Sequence, residues 1–254
     1  MNILKSLTPC IFVNHGGGPM HAYRSKADPI KSQLLNVGKR FNNERTKPKS
    51  ILVVSAHHEA APSLRVSSAF TNDADYPVSA DPKLAKRVQE LLHGSSINCE
   101  LDAQHYLDHG AVTPLMISFP KADVPVVALS LHKSLDPAKH LEIGKALQPL
   151  REEGVLIIGS GMSYHNLRAM FASRGIKGKE FDETLTNAVT HSDPEKRNEL
   201  LKKWENFPDA RKVHPREEHL MPLFVVAGAA GSDVGIQSES FDFMGASVSS
   251  YSFP

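Results

Sequence analysis

The sequence lacks most of the features that mark secreted or membrane proteins. It has only two cysteines, Cys10 and Cys99, far apart in the chain. A disulfide framework is therefore not expected, and a reducing compartment is favoured. No apolar run approaches the roughly 18 residues of a membrane span, and the first residues carry no cleavage site of small residues. These absences predict a cytoplasmic protein that does not bind a membrane.

An excess of charge of one sign is also missing. The chain has 29 Lys and Arg against 28 Asp and Glu, a formal charge of +1, so nothing indicates electrostatic binding to nucleic acid. The G-x-x-x-x-G-K-[ST], G-x-G-x-x-G and H-E-x-x-H motifs do not occur. A chain of 254 residues with 41% hydrophobic residues fits one globular unit, and we predict a single domain spanning residues 1–254.

Short apolar runs alternate with segments of helical periodicity. The predicted strands are Pro9–Val13, Ser50–Ser55, Val124–Leu131, Val155–Ile158 and Ala246–Phe253. The predicted helices are Pro29–Phe41, two that begin at the Asp-Pro pairs 81–82 and 136–137, Glu180–Val189, Pro194–Trp204 and Glu218–Ala229. This alternation predicts an α/β fold with a central, mostly parallel or mixed β-sheet and helices on both faces.

Histidine is abundant, with thirteen residues, and several follow predicted strands directly. Three of these strands run into motifs that contain His15, His57 with His58, and His165. Ligands of open α/β sheets bind just beyond the carboxyl ends of strands, and neutral imidazole is a common ligand of zinc and ferrous iron. One such histidine alone is usually an ordinary hydrogen-bonded loop residue. Three together predict a metal site at this edge of the sheet.

The remaining histidines divide into two groups. His109, in Asp108-His109-Gly110, and His219, in the segment 214–223, belong to two further polar motifs. The others are expected to be structural or solvent-exposed: His21, His58, His93, His105, His132, His140 and His191.

A competing interpretation comes from the glycines after His15. A His-Gly-Gly-Gly run also builds the oxyanion hole of some lipases and esterases, but those enzymes need a G-x-S-x-G nucleophile elbow. The best candidate, Gly161-Met-Ser163-Tyr-His165, has histidine where the second glycine belongs. The esterase interpretation therefore lacks its nucleophile.

Five motifs follow one another along the chain in an order that resembles a known family. They are Asn14-His15-Gly-Gly-Gly-Pro19, Ser55-Ala-His-His-Glu59, Asp108-His109-Gly110, His165-Asn166-Leu167 and His214-Pro-Arg-Glu-Glu-His219-Leu-Met-Pro-Leu223. Together they resemble the class III extradiol dioxygenase superfamily, in its single-chain branch of DOPA 4,5-dioxygenase-like proteins. The resemblance implies a mononuclear non-haem metal and insertion of both atoms of O₂ into a small catechol.

The resemblance also implies roles for individual residues. The positions that match metal ligands are His15, His57 and His219, with Glu218 as a competing third ligand. His165 matches an acid/base residue or a fourth ligand, and His109 a residue of the substrate pocket. Fe(II) is expected for activity and Zn(II) is a second metal that such a site can hold. The expected partners are a catechol and O₂, while the sequence does not indicate an oligomeric state.

Two other functions stay open from the sequence. The same histidines suit a zinc-dependent hydrolase that activates water, and a protein of this fold can also bind a metal or small molecule without catalysis. We expect Asp108 and Asn166 to hold metal ligands in place. Arg168 and Arg216 are candidates to bind a substrate carboxylate, although a surface position is commoner for arginine. Two loops, 70–77 and 163–178, are expected to shape the substrate pocket.

Overall fold

The computed structural model describes residues 7–18, 24–70, 76–171 and 177–254. Its strands are β1 (Cys10–Asn14), β2 (Ser50–Ala60), β3 (Leu64–Ser67), β4 (Cys99–Asp102), β5 (Val126–His132), β6 (Val155–Gly161), β7 (Ile236–Phe243) and β8 (Ala246–Phe253). Its helices are α1 (Pro29–Phe41), α2 (Pro82–Gly94), α3 (His109–Ser118), α4 (Pro137–Leu147), α5 (Leu167–Met170), α6 (Lys179–Val189), α7 (Pro194–Lys202), α8 (Ala210–Val213) and α9 (Met221–Ala229).

The strands form one mixed sheet, which within these described ranges has eight strands in the order β4-β3-β5-β2-β6-β1-β8-β7. The four central strands β5, β2, β6 and β1 are parallel to one another. Antiparallel pairs join β8 to β1, β7 to β8, and β3 to β5. Because β1, β2 and β6 are neighbours and parallel, the residues that follow them lie at the same edge of the sheet. This confirms the predicted mixed α/β architecture.

Helices cover both faces of the sheet. Neighbouring residues at the end of β6 face opposite sides of the sheet. Gly159 faces α9, since a Cβ atom added to this glycine would lie 2.5 Å from the carbonyl oxygen of Pro222. The next side chain, Ser160, instead donates its hydroxyl proton to the carbonyl of Gly110 in α3. Helix α9 is buried all along its length and packs closely on α4, where a Cβ on Gly144 would lie 2.0 Å from the carbonyl oxygen of Val225. The predicted helices on two faces are therefore confirmed.

Helix starts agree well with the sequence prediction because aspartate caps precede them. Asp28 accepts a hydrogen bond from the Lys31 amide, and Pro29 opens α1 at the predicted residue. Asp81 and Asp136 cap α2 and α4 in the same way. Short polar side chains at this position satisfy amides that have no partner inside the helix.

Several boundaries differ from the prediction; β6, for example, continues past Ile158 to Gly161. β2 continues past Ser55 to Ala60, with an irregularity in its pairing to β5 between Val54 and Glu59. The helix predicted from Glu218 begins only at Met221, with proline in its first turn, so His219 lies in the preceding turn. The helix predicted over Pro194–Trp204 ends at Lys202 and is followed by a 3₁₀ turn. The sequence analysis did not predict β3, β4 or β7.

Both cysteines are buried, and neither forms a disulfide bond. In the part of the chain that the structure describes, no helix has the length and apolar character needed to cross a membrane.

Candidate metal centre

Three imidazoles converge beyond the carboxyl ends of the central strands. His15 follows β1 directly, His57 lies in the irregular part of β2, and His219 lies in the turn before α9. One ring nitrogen from each is within 4.8 Å of the others, and His15 Nε2 is 3.2 Å from His57 Nε2. A cluster of imidazole nitrogens this close could bind one metal ion.

The hydrogen bonds of His15 and His219 determine which nitrogen of each ring carries the proton. Ser160 donates its only hydroxyl proton to the Gly110 carbonyl. Its oxygen, 3.1 Å from His15 Nδ1, therefore accepts a hydrogen bond from that nitrogen. An ionised carboxylate can only accept, and Glu218 Oε1 lies 3.0 Å from His219 Nδ1. In both rings the proton is therefore on Nδ1, and Nε2 keeps its lone pair. Second partners of this kind are typical of metal-ligating histidines.

The three rings are electrically neutral. Burial lowers the pKa of His15, His57 and His219 below the ordinary value, and neighbouring imidazoles lower it further. A metal ion needs deprotonated ligand nitrogens. The residues present therefore fit a metal ion held by three neutral imidazoles.

Backbone contacts hold His219 beside the end of β6. Its carbonyl accepts a hydrogen bond of 3.0 Å from the Met162 amide. A Cβ on Gly161 would lie only 2.1 Å from that carbonyl oxygen, so the approach requires glycine at this position. The Gly161 carbonyl in turn accepts from the His15 amide at 3.0 Å. Gly161 thus couples two members of the cluster.

Asp108 is linked to the His57 backbone through Ser55 and lies at the start of the helix that contains His109. Its Oδ1 accepts hydrogen bonds from the Ser55 hydroxyl at 2.6 Å and from the Gly110 amide at 2.7 Å. The Ser55 oxygen accepts from the His57 amide at 3.2 Å. Asp108 is also the N-cap of α3, whose first residue is His109. The rings of His57 and His109 have centroids 4.1 Å apart.

His165 lies against His219 on the other side of the cluster. The two rings are stacked with centroids 3.4 Å apart and planes within 16°. Glu218 Oε1 lies 3.5 Å from His165 Nδ1, so this carboxylate faces two imidazoles. Burial lowers the pKa of His165, while Glu218 raises it less. The balance of these two effects favours the neutral form of His165.

Other expected contacts differ in the structure. Asn166 caps α5 through the Ala169 amide and donates to the Lys212 carbonyl, so it holds a loop rather than a histidine of the cluster. The side chains that bind the imidazoles are Ser160 and Glu218. The sequence analysis did not identify Ser160, although a serine in an otherwise apolar strand is a detectable signal.

Histidines outside the cluster have local roles. His140 is buried and bonded to the Asp136 carbonyl, His93 contacts the Cys99 carbonyl, and His58 stacks on His105. His214 is buried and contacts the Ser163 carbonyl at 2.9 Å. His21 lies outside the described residues.

Two histidines of the cluster, His57 and His219, line a cavity of about 630 Å³. The described residues that line it are Gly16, Gly17, Gly18, Arg24, His57, His109, Met162, Tyr164, His165, Leu167, Met170, Phe171, His219, Phe243 and Met244. The predicted loop 163–178 therefore contributes to the wall, although residues 172–176 lie outside the described part. The other predicted loop, 70–77, does not line the cavity in its described residues, and residues 71–75 are not described.

The family described as "Catalytic LigB subunit of aromatic ring-opening dioxygenase" matches residues 4–254 of the chain. The chain belongs to the LigB family. LigB enzymes open aromatic rings with O₂, so the protein is an aromatic ring-opening dioxygenase and its histidine cluster fits the metal dependence of that family.

Individual relatives agree with this assignment. The chain is 37% identical over 239 residues to "4,5-DOPA dioxygenase extradiol" of Beta vulgaris, covering 87% of each chain. A protein of the same description from Escherichia coli K12 is 30% identical over 250 residues, covering 90% of this chain and 88% of the relative. The solved structure of an uncharacterised E. coli K12 protein superposes with a TM-score of 0.80 at 28% identity, covering 97% of this chain and 100% of that one.

Proposed function

We propose that the protein is an extradiol dioxygenase that inserts both atoms of O₂ into a small catechol, DOPA or a related compound. The observation that carries the proposal is the convergence of His15, His57 and His219 beside a cavity of about 630 Å³, which His57 and His219 line. The names of the relatives support the substrate class. The whole chain, residues 1–254, acts as one catalytic domain in this proposal, because the family match covers almost all of it.

The metal ligands in the proposal are His15, His57 and His219. Glu218 supports the ligands in this proposal rather than binding the ion, because its Oε1 lies 3.0 Å from His219 Nδ1 and 3.5 Å from His165 Nδ1. Fe(II) is the metal proposed for activity, since it supplies the electron transfer between substrate and O₂ that ring opening requires, whereas zinc has no redox chemistry. Zinc binding at the same imidazoles would give an inactive protein.

His165 serves as the acid/base residue rather than as a fourth ligand. Its ring is parallel to that of His219 and 3.4 Å away. The lone pair of each ring lies in the plane of that ring, so two nearly parallel rings are poorly oriented to share one ion. Neutral His165 can accept a proton from a substrate hydroxyl at Nε2, and Glu218 beside Nδ1 stabilises the cation that forms. His109 contributes to the wall on the His57 side and contacts the substrate.

The test uses protein purified without air and loaded with Fe(II). DOPA, protocatechuate and caffeate are added in turn while oxygen uptake and the yellow ring-opened product are followed. We expect uptake with product in the unmodified protein. His57→Ala should lose both metal and activity, and His165→Gln should keep the metal but lose turnover. His191→Gln, at a histidine bonded within its own turn, is the matched control. Absence of uptake with every catechol, at one Fe(II) per chain, would refute the proposal.

A further inference from the structure

The cavity that His57 and His219 line also has large apolar side chains in its wall. Leu167 and Phe171 contribute to it from α5 and the residue that follows this helix, and Met244 contributes from the turn between β7 and β8. We call these three residues the apolar wall. One cavity thus brings apolar side chains from two distant parts of the chain together with imidazoles of the metal centre.

The apolar wall is exposed to solvent in the absence of a ligand. Leu167 is 52%, Met244 49% and Phe171 72% exposed. In the part of the chain that the structure describes, seven large apolar residues are exposed, and three of them line this cavity. A single exposed apolar residue is normal on a protein surface, whereas a group of them marks a surface that a ligand or partner covers.

More buried apolar residues extend the same lining. Met162 and Phe243 are buried and Met170 is half-buried, and all three also line the cavity. Thioether side chains adapt to groups of different shape and make favourable contacts with aromatic rings. An apolar group in this cavity therefore meets buried as well as exposed apolar surface.

Hydrogen bonds fix both segments that carry the apolar wall. Asn166 caps α5 and donates to the Lys212 carbonyl at 2.6 Å. In the turn between β7 and β8, the Asp242 carboxylate accepts from the Gly245 amide at 2.8 Å. The apolar wall is therefore held by the fold on each side.

The cavity has room for more than one aromatic ring. Its volume of about 630 Å³ lies in the range of about 300 to 1,000 Å³ that is typical of pockets for drug-sized ligands. A catechol ring is much smaller than such a ligand. Leu167 is only two residues after His165, and both line the cavity. A ring bound at the imidazoles can therefore place its substituent against the apolar wall.

We infer that the apolar wall binds an apolar substituent on the ring of the substrate, so that the protein prefers catechols with a substituent of several carbons. This inference rests on the proposed dioxygenase function and specifies its substrate class further. Removal of apolar surface from water stabilises binding in proportion to the area buried. Leu167, Phe171 and Met244 therefore determine specificity and take no part in the chemical step.

The kinetic test uses catechols that carry an ethyl, a butyl or a hexyl group at position 4, with the Fe(II)-loaded protein. Each added methylene should raise kcat/KM by about two- to fourfold, mainly through KM, because full burial of one methylene corresponds to about fourfold. Equal kcat/KM values for the three catechols in the unmodified protein would overturn the inference.

Two variants locate the effect on the apolar wall. Phe171→Ser and Met244→Asn should each lower kcat/KM for 4-hexylcatechol by about 3- to 10-fold and change that for 4-ethylcatechol by less than about twofold. Asparagine is chosen because Met244 has a φ of 54°, which asparagine tolerates better than most residues. Ile236→Ser is the matched control, since Ile236 is 51% exposed at the other end of β7 and outside the described lining.

The control variant should keep both kcat/KM values of the unmodified protein. Losses of equal size on the ethyl and hexyl compounds in Phe171→Ser and Met244→Asn would overturn the inference, because they would show an effect on the ring rather than on its substituent. A loss in Ile236→Ser as large as that in Phe171→Ser would overturn it as well.

A binding measurement separates this inference from the dioxygenase function. If the Fe(II)-loaded protein opens none of the catechols, the dioxygenase proposal fails, and the apolar wall is tested by calorimetric titration of the zinc-loaded protein. 4-Hexylcatechol should bind at least about tenfold more tightly than 4-ethylcatechol, and this ratio should fall in Phe171→Ser but not in Ile236→Ser. An unchanged ratio in Phe171→Ser would refute the role of the apolar wall.

Discussion

Replacement of Glu218 tests which of two adjacent residues holds the metal. Glu218 Oε1 lies 3.0 Å from His219 Nδ1 and 3.5 Å from His165 Nδ1. Its other oxygen lies 3.6 Å from Arg216 Nη1. In the proposed arrangement the carboxylate orients His219, and His219 binds the ion. Loss of such a supporting contact typically weakens metal binding by about 10- to 100-fold, which corresponds to about 1.4 to 2.8 kcal/mol.

The assay is metal affinity measured by competition with a chromogenic chelator, together with the number of ions per chain. Glu218→Ala should bind one ion per chain with affinity reduced by about 10- to 100-fold, and Glu218→Gln should recover part of the loss because its amide oxygen can still accept. His219→Ala should fall well below one ion per chain. Glu217→Ala is the matched control, because the neighbouring Glu217 pairs with Arg211 at 2.5 Å instead.

The opposite pattern would refute this reasoning. If Glu218→Ala abolished metal binding as fully as His57→Ala does, and His219→Ala kept one ion per chain, then Glu218 would be the ligand. The hydrogen bond seen between Glu218 and His219 would then not describe the metal-loaded centre.

Three further predictions concern packing, buried charge and pH. In Gly161→Ala the added Cβ would lie 2.1 Å from the His219 carbonyl oxygen, so the variant should be less stable by about 1–3 kcal/mol and should bind the metal more weakly. Thermal unfolding measures the stability and chelator competition measures the metal affinity. Unchanged values of both would contradict the close approach. Arg197→Met should cost about 2–4 kcal/mol in denaturant unfolding, because the buried guanidinium donates to three backbone carbonyls. Burial lowers the pKa of fully buried His140 from 6.5 to about 4. In the unfolded chain this histidine therefore takes up a proton at a higher pH than in the folded chain, and the free energy of unfolding falls as the pH drops from 6.5 to 4. His140→Gln should remove up to about 3 kcal/mol of that pH dependence, and an unchanged slope of unfolding free energy against pH would contradict it.

The central strands were predictable because they are continuous apolar runs, and their parallel arrangement follows from the alternation with helices. β1, β2, β5 and β6 are buried on both faces over most of their length, which produces this pattern. Since strand ends of a parallel sheet share one edge, the sequence also indicated that His15, His57 and His165 would lie close together.

The strands that were missed have weaker patterns. β3 and β4 have only four residues each, too few for a clear period of two. β7 is mostly exposed and contains polar residues at positions where an apolar alternation would be expected. It is held by antiparallel pairing to β8, a long-range contact that local sequence does not reveal.

The choice between His219 and Glu218 could not be made from the sequence, because adjacent residues in a turn point in directions that the turn decides. The direction here depends on the contact between the His219 carbonyl and the Met162 amide and on the space left by Gly161. Such placements arise from tertiary contacts rather than from local motifs.

The most direct test of the central claim is the mass of the product formed from hydrocaffeate by the Fe(II)-loaded protein. Incubation in ¹⁸O₂, with borohydride added at once to stop exchange of aldehyde oxygen with water, allows the origin of the new oxygens to be followed. The account predicts a ring-opened product that contains both atoms of one O₂ molecule, and none from the zinc-loaded protein. A quinone that has lost two hydrogens and gained no oxygen, or unchanged hydrocaffeate at one Fe(II) per chain, would contradict it.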